Sequence, residues 1–364
     1  MAITPEATPP SESYGCLNGN QTTSDFWRSP RDLATLVLLL LPLLVFAATL
    51  VDGTYSMQGE SKGFAQHYGF WAIFATTPAL LRLAGHMLDR YVSILSKPDG
   101  YLSDRATPDQ RAEFDRIVGE HINSLALNSR LRYVLYFGMC VGLAFYIINI
   151  HETWDPYPTY GHDVFDAWRH KAGYFLTKLY LLPVFVYAYP VAIFIAAQVT
   201  WSMYVVLRFL CEKEVLEISF FHEDNCGGTS CFGEVNLLVM TTSAFLFVVL
   251  IGMFITHDRT YFVTRSGLVF CSIVMIVESL ASVWAIHSFV KKKKQARLSI
   301  ITKSLDEDLD DSLKNKSTFR NDLLAARNHV HGIHTFPYAA RMLVVVNGLR
   351  FAPAVIAIAT FVNR

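Results

Sequence analysis

Charge is what this sequence has least of. Lysine, arginine, aspartate and glutamate make up 17% of its 364 residues, against about 25% in soluble domains. The 31 basic and 31 acidic side chains cancel to a formal net charge of +0. Phosphate binding needs a basic excess, so nucleic acid is excluded as the main partner. Short catalytic patterns are missing too: there is no G-x-S-x-G elbow, Walker loop, H-E-x-x-H helix or Rossmann glycine fingerprint. Their absence argues against a hydrolase, an ATPase and an oxidoreductase, and no cofactor is expected. Six cysteines, Cys16, Cys140, Cys211, Cys226, Cys231 and Cys271, are scattered along the chain. Three sit within or at the ends of apolar runs, where a thiol acts as a small hydrophobe, so this is no disulfide framework.

What the chain does have is apolar length, with 52% hydrophobic residues. A helix that crosses a bilayer needs about 20 mostly apolar residues. Six blocks meet that requirement: 33–52, 65–87, 133–151, 174–211, 235–257 and 266–290. A seventh, 338–362, is interrupted by Arg341, Asn347 and Arg350. The first block lies behind a polar tail and exceeds the roughly 7–15 residues of a signal-peptide core, so it reads as a span. The fourth block is longer than a simple span; Pro183 and Pro190 inside it each remove a backbone donor. It reads as one long, tilted helix, with two short re-entrant pieces as the alternative.

Basic residues set the orientation. Alternate segments carry Arg28 and Arg31; Arg90, Lys97, Arg105, Arg111, Arg116, Arg130 and Arg132; Lys213; and Lys291 to Lys294. The opposite set holds little beyond Lys62, Arg169, Lys171, Arg259, Arg265 and Arg364. The N-terminus is therefore expected in the cytoplasm. The fold class expected is all-α, a polytopic membrane bundle of six or seven transmembrane helices. Its parts are a polar cytoplasmic tail (1–32), a six-span membrane domain (33–290) with a cytoplasmic helix (107–132) and loop (212–234), a charged connector (291–335) and a seventh membrane segment (336–364).

Thr107-Pro108-Asp109-Gln110 has the order of N-cap, N1 proline and capping-box glutamine. Phe114, Ile117, Val118, Ile122, Leu125 and Leu127 follow at nearly helical spacing. They predict an amphipathic helix that runs on into the third span. The run Lys291 to Lys294 reads as an anchor drawn to anionic lipid head groups. Residues 303–328 mix both charge signs and read as a solvated connector, helical or partly disordered.

One loop concentrates reactive side chains: FHEDNCGGTSCFG, Phe221 to Gly233. This loop, with RDLATLVLLLLPLLVFAATLVDG at 31–53 and the long aromatic-rich helix, resembles an uncharacterised family of bacterial multi-spanning integral membrane proteins. The loop of that family reads H-P-D-x-x-G-G-L-x-x-L-G. His222, Asp224, Gly227, Gly228 and Gly233 match it, whereas Glu223, Thr229 and Phe232 depart from it. The resemblance implies a multi-pass protein of the bacterial inner membrane and carries no activity with it. It also implies that cysteine is not required at positions 226 and 231.

Three readings of the loop compete. His222, Cys226 and Cys231, with a carboxylate, have donor types that zinc accepts, but the tight paired spacing of structural zinc sites is missing. A glycine loop feeding a helix N-terminus can contact an anion, so His222, Asp224, Gly227 and Gly228 form a candidate ligand contact or gate. The third reading is a packed turn, with Gly227-Gly228 supplying positive φ or close approach. His329, His331 and His334 form a weaker metal-like group. Within the bilayer, Glu278 falls near the centre of the sixth span and Arg350 near the middle of the seventh segment. Intramembrane charges are costly and face a partner or a wet path, so Glu278–Arg350 is a candidate pair. Together these features point to a channel- or transporter-like protein that forms homo-oligomers. The alternatives are a scaffold or sensor recruiting a cytoplasmic partner, and a membrane enzyme using the His222–Asp224 loop.

Overall fold

A computed structural model describes residues 23–56, 64–66, 68–125, 129–148, 171–219, 226–256, 284, 286–306, 317–335 and 337. Among them the chain is helical throughout, with a single isolated bridge between Leu102 and Leu216 and no strand. The helices are α1 (Thr23–Val51), α2 (Tyr68–Leu95), α3 (Pro108–Leu125), α4 (Ser129–Ile148), α5 (Ala172–Pro183), α6 (Tyr189–Glu212), α7 (Ser230–Thr256), α8 (286–306) and α9 (Ser317–Gly332). Helix α1 starts ten residues before the first apolar block, so part of the expected polar tail is helical.

The capping signature forms as its residues dictate. Gln110 N–H donates to Thr107 Oγ1 at 3.3 Å, and Thr107 N–H donates to Gln110 Oε1 at 2.9 Å. Helix α3 is described to Leu125 and α4 from Ser129; the join between them, where the helix is expected to run on into the third apolar block, lies outside the described residues. Helix α3 packs on α6, and Phe114 and Val118 are buried. Its amphipathic stripe thus serves the chain's own core.

The fourth apolar block is a continuous helical rod with one irregular turn. Between α5 and α6, Val184–Ala188 forms a π-helical turn, in which Tyr189 N–H reaches back five residues to the Val184 carbonyl. Prolines bracket this turn. Pro183 closes α5 and Pro190 follows Tyr189, where it has no N–H to donate. A π turn inserted in an α-helix is a frequent mark of a functional site.

Helix α4 packs directly on this turn. A Cβ at Gly142 would run into the backbone carbonyl of Phe185, and one at Gly138 would sit 3.9 Å from Pro190 Cβ. Gly138-Met139-Cys140-Val141-Gly142 is a G-x-x-x-G pattern, which lets helix backbones approach closely. The same device recurs at Gly173 in α5, whose Cβ would come within 2.7 Å of Thr49 Cγ2 on α1. There Asp52 Oδ2 accepts Gly173 N–H at 2.7 Å, capping α5 from a neighbouring element because Lys171, its own N-cap residue, makes no side-chain cap.

Helix α2 lies at the centre, packed most extensively on α7 and then on α1 and α6. Among the described residues, two helical stretches are long and apolar enough to cross a membrane: Phe175–Glu212 and Ser230–Val249. Helices α1 and α4 turn a band of large apolar side chains outward, among them Leu33, Leu40, Leu43 and Val51, and Tyr133 and Phe137. On α1 this band covers eighteen residue steps, about 27 Å at 1.5 Å per residue. A bilayer core is close to 30 Å thick.

At one end of the bundle, α2 and α6 finish and α7 begins. Arg90, Lys213, Lys292 and Lys293 gather there with the carboxylates of Glu234, Glu113 and Glu214; we call it the basic end, after its lysines. Helix α8 leaves the main core at Ile286, Phe289 and Val290. Further along, its Ile301 and Leu305 meet Val330 of α9 in a second small core. The charged connector is thus a helical hairpin at both of its described ends.

Candidate functional site

The π turn faces a group of hydroxyls. Thr77 of α2, Tyr180 of α5 and Tyr189 of α6 are 0%, 0% and 9% exposed. Thr77 lies beside both phenols, and Thr76 lies beside Tyr189. Thr76 is satisfied locally, donating to the Ala72 carbonyl at 2.6 Å. Thr77 Oγ1 is within hydrogen-bonding reach of both phenols, although no pair among the three hydroxyls meets strict hydrogen-bond geometry. Aromatic rings wall the group. Phe74 lies edge-on to Tyr180 at 4.7 Å between ring centroids, and Phe185 is T-shaped to Tyr189 at 5.6 Å.

Each member is placed by its own helix. Tyr180 shares the buried face of α5 with Thr177 and Leu181, and Thr177 anchors itself to the Gly173 carbonyl at 2.7 Å. Tyr189 is the residue whose N–H makes the long π bond, so the turn fixes its backbone. Thr77 precedes Pro78, the one proline inside α2. Along their axes, Tyr180 lies about 12 Å from the start of α5 and Thr77 about 13 Å from the start of α2. The group therefore lies well inside the bundle.

The basic end is built differently. Tyr101, Phe114, Phe209 and Phe232 form an aromatic core, with Tyr101 and Phe232 T-shaped at 5.0 Å. The chain leaving α6 pairs with the α2–α3 connection: Ser103 N–H donates to Val215 O and Glu217 N–H to Tyr101 O, both at 2.8 Å. Arg90 donates to Glu234 Oε2 through Nη2 at 2.6 Å and Nε at 3.2 Å, joining α2 to α7.

Glu214 is the unusual residue there. Its φ of 55° lies in the left-handed region, the one such non-glycine among the described residues. It occupies the position after the α6 C-cap where glycine is usual. Its N–H bonds Cys211 O at 3.3 Å and that of Val215 bonds Leu210 O at 3.0 Å, the pattern of a Schellman ending. The side chain explains the choice. Lys293 and Lys292 donate to its two carboxylate oxygens at 2.9 and 3.0 Å, and these bonds hold its carboxyl below the usual range. Lys294 Nζ caps the end of α9, donating to His331 O at 2.7 Å and Ile333 O at 2.8 Å. Three of the four lysines read as a lipid anchor therefore have partners in the chain.

Of the residues singled out in the sequence, Glu278, Arg350, His222 and Asp224 lie outside the described residues. Gly227 and Gly228 take φ of 71° and 86°. A Cβ on Gly227 would come within 2.7 Å of Ile218 Cγ2. Ser219 N–H bonds Gly227 O at 3.2 Å, and Thr229 Oγ1 donates to Cys226 O at 2.7 Å, so this half of the loop is a closed turn feeding α7. Cys226 is buried and Cys231 half-buried, and neither is in a disulfide. No trio of histidine, cysteine or carboxylate side chains able to hold a metal occurs among the described residues, and His329, His331 and His334 form none. Comparison with protein-family models, with curated proteins and with solved structures finds no match.

Proposed function

We propose that the chain is a multi-pass membrane protein of channel- or transporter-like function, with six or seven spans and the basic end in the cytoplasm. The observation that carries this reading is the π turn inside a 38-residue apolar helix, beside the buried hydroxyl cluster of Thr77, Tyr180 and Tyr189. Transport proteins break their helices where a solute is bound, near the middle of the membrane. Irregular backbone at membrane depth is tolerated where protein or a wet cavity covers it, and α4 covers this turn through Gly142. The bilayer is the partner that the exposed apolar band of α1 and α4 fits. Anionic head groups next to Lys291, a bacterial inner-membrane location and a homo-oligomeric state belong to the same reading, as does a Glu278–Arg350 pair.

Purified protein in proteoliposomes tests it. A panel of ions and small neutral solutes is expected to include at least one that crosses faster than through empty vesicles. That flux is expected to drop in Tyr189→Phe. Fluxes equal to empty vesicles for the whole panel would overturn the transport reading. A second reading, a scaffold recruiting a cytoplasmic partner, is favoured by the hairpin of α8 and α9 projecting beyond the main core. Its test is co-purification of a partner that is lost when residues 291–335 are removed.

A further inference from the structure

The rod from Phe175 to Glu212 is 38 residues long, about 57 Å along its axis, while a bilayer core is close to 30 Å thick. Part of it must stand outside, and contacts between helices show where it leaves. Helices α1 and α2 form an antiparallel pair in which Phe46 meets Trp71, with ring centroids 6.3 Å apart. Counting from that contact, Leu33, where the outward apolar band of α1 begins, lies opposite Ala84. Helices α2 and α6 both finish at the basic end, and Tyr91 bonds Ser202 at 2.8 Å, so Ala84 lies opposite Ile195. Helix α4 runs against the rod, with Gly142 at Phe185 and Gly138 at Pro190. Its first exposed aromatic, Tyr133, therefore also lies opposite Ile195. Two separate routes reach one height.

The outward side chains change character there. On one side Leu40, Leu43, Leu179 and Leu182 are exposed. On the other the exposed residues of α6 are Arg208 and Glu212, which pair at 2.7 Å. Arg82 and His86 of α2, one turn apart and exposed, bracket the height, and Trp201, 60% exposed, follows two turns beyond it. Tryptophan collects at the head-group level of a membrane, and arginine carries its charge there from just inside the hydrocarbon. We propose that the cytoplasmic head-group layer of the bilayer meets the bundle between Arg82 and Trp201, with the Arg82 guanidinium at the lipid phosphates and the Trp201 indole as an anchor. The proposal rests on the membrane reading above and deepens it. The remainder of α6, about 16 Å of helix, then stands in water as part of a cap with α3 and the end of α2. Measured back from Ile195, the middle of a 30 Å core falls about ten residues along the rod, at the π turn.

The test reads depth in the full chain, in vesicles of phosphatidylcholine and phosphatidylglycerol. One nitroxide residue at a time, introduced by a genetically encoded handle that leaves the cysteines in place, replaces Ala75, Ala79 or His86 on α2 and Leu182, Trp201 or Arg208 on the rod. Collisions with oxygen, which enters lipid, and with a nickel chelate, which stays in water, give each height. Along α2 the label is expected to pass from lipid at Ala79 to the water side at His86. Along the rod it is expected to pass from lipid at Leu182 to the head-group layer at Trp201, and to water at Arg208 about 10 Å further out. Labels at Trp201 and Arg208 as deep as Leu182 overturn the proposal, because the whole rod would then lie in lipid. So does water at Ala79 together with lipid at Trp201, because the two helices would then share no common height. In Arg82→Gln the preference for spin-labelled phosphatidylglycerol over phosphatidylcholine is expected to fall, by at most about fivefold; an unchanged preference removes Arg82 from the layer and overturns that contact. The membrane reading fails separately, through nickel reaching Leu182 and Ala75. Vesicles without flux but with the expected depths sink the transport reading and leave the layer where it is.

Discussion

The middle of the bundle and its basic end solve the problem of polar groups in opposite ways. At the basic end they are paired within the chain. Arg90 meets Glu234, Lys213 meets Glu113 at 3.3 Å, and Glu214 meets Lys292 and Lys293. In the middle, the uncharged hydroxyls of Thr77, Tyr180 and Tyr189 are buried side by side. Aromatic rings, which gain from leaving water, pack both regions. The middle adds glycines that let backbones touch, Gly142 against Phe185 and Gly173 against Thr49.

The sharpest way to break that contrast is to remove the aromatic anchor. Phe232 is fully buried against Tyr101. Phe232→Ala is expected to cost about 3–5 kcal/mol, the range for emptying a phenylalanine site. Hydrogen exchange measured along the chain is expected to rise in α3 and at the α6 end, with α4 and α5 little changed. A uniform rise through the bundle would show that the two regions are one cooperative unit.

Next in size is the glycine contact. In Gly142→Ala the new methyl meets the Phe185 carbonyl, a backbone atom that cannot step aside alone. The expected loss is about 1–3 kcal/mol, typical of overpacking, read as a lower midpoint in thermal melting. Gly138→Ala meets only an ordinary 3.9 Å contact with Pro190 Cβ and is expected to be nearly neutral. Equal effects at the two glycines would remove the π turn as the contact point.

What the sequence revealed follows the same division. Local signals were legible: the Thr107–Gln110 capping box, the helical continuity of 174–211 and the positive φ that Gly227-Gly228 permits all depend on neighbours within a few residues. The hydroxyl group was not. Thr77 and Tyr180 stand 103 positions apart, and their meeting depends on how α2 packs on α5 and α6. A charged residue stands out in an apolar block, whereas a phenol, whose polar tip weighs little there, does not. The G-x-x-x-G of α4 was present as a signal and needed only to be read against the prolines of the facing helix. Glu214 was illegible for another reason. Nothing in Lys213-Glu214-Val215 announces a left-handed residue, because the lysines that make it worthwhile lie 78 and 79 positions away.

The smallest expected effect separates the backbone and the charge of Glu214. Exposed ion pairs contribute little, so the change sought is in the attachment of α8 rather than in the melting of the whole. Its carboxyl is held below its ordinary value near 4.5 by Lys293 and Lys292. A group with a lowered folded pKa contributes its stability above the unfolded value and loses it as pH falls through the folded one. The α8 attachment is therefore expected to be constant from neutral pH down to about 4.5 and to weaken below it, and to weaken with added salt at pH 7. The distance between spin labels on α6 and α8 is the readout. Glu214→Gln is expected to abolish both dependences. Glu214→Gly abolishes them too but relieves the left-handed backbone, so it is expected to melt above Glu214→Gln. If the two variants melt together, the positive φ carries no strain and the Schellman ending accepts either residue. If the label distance in the parent ignores salt, the lysines do not hold α8, and the basic end is closed by its aromatic core alone.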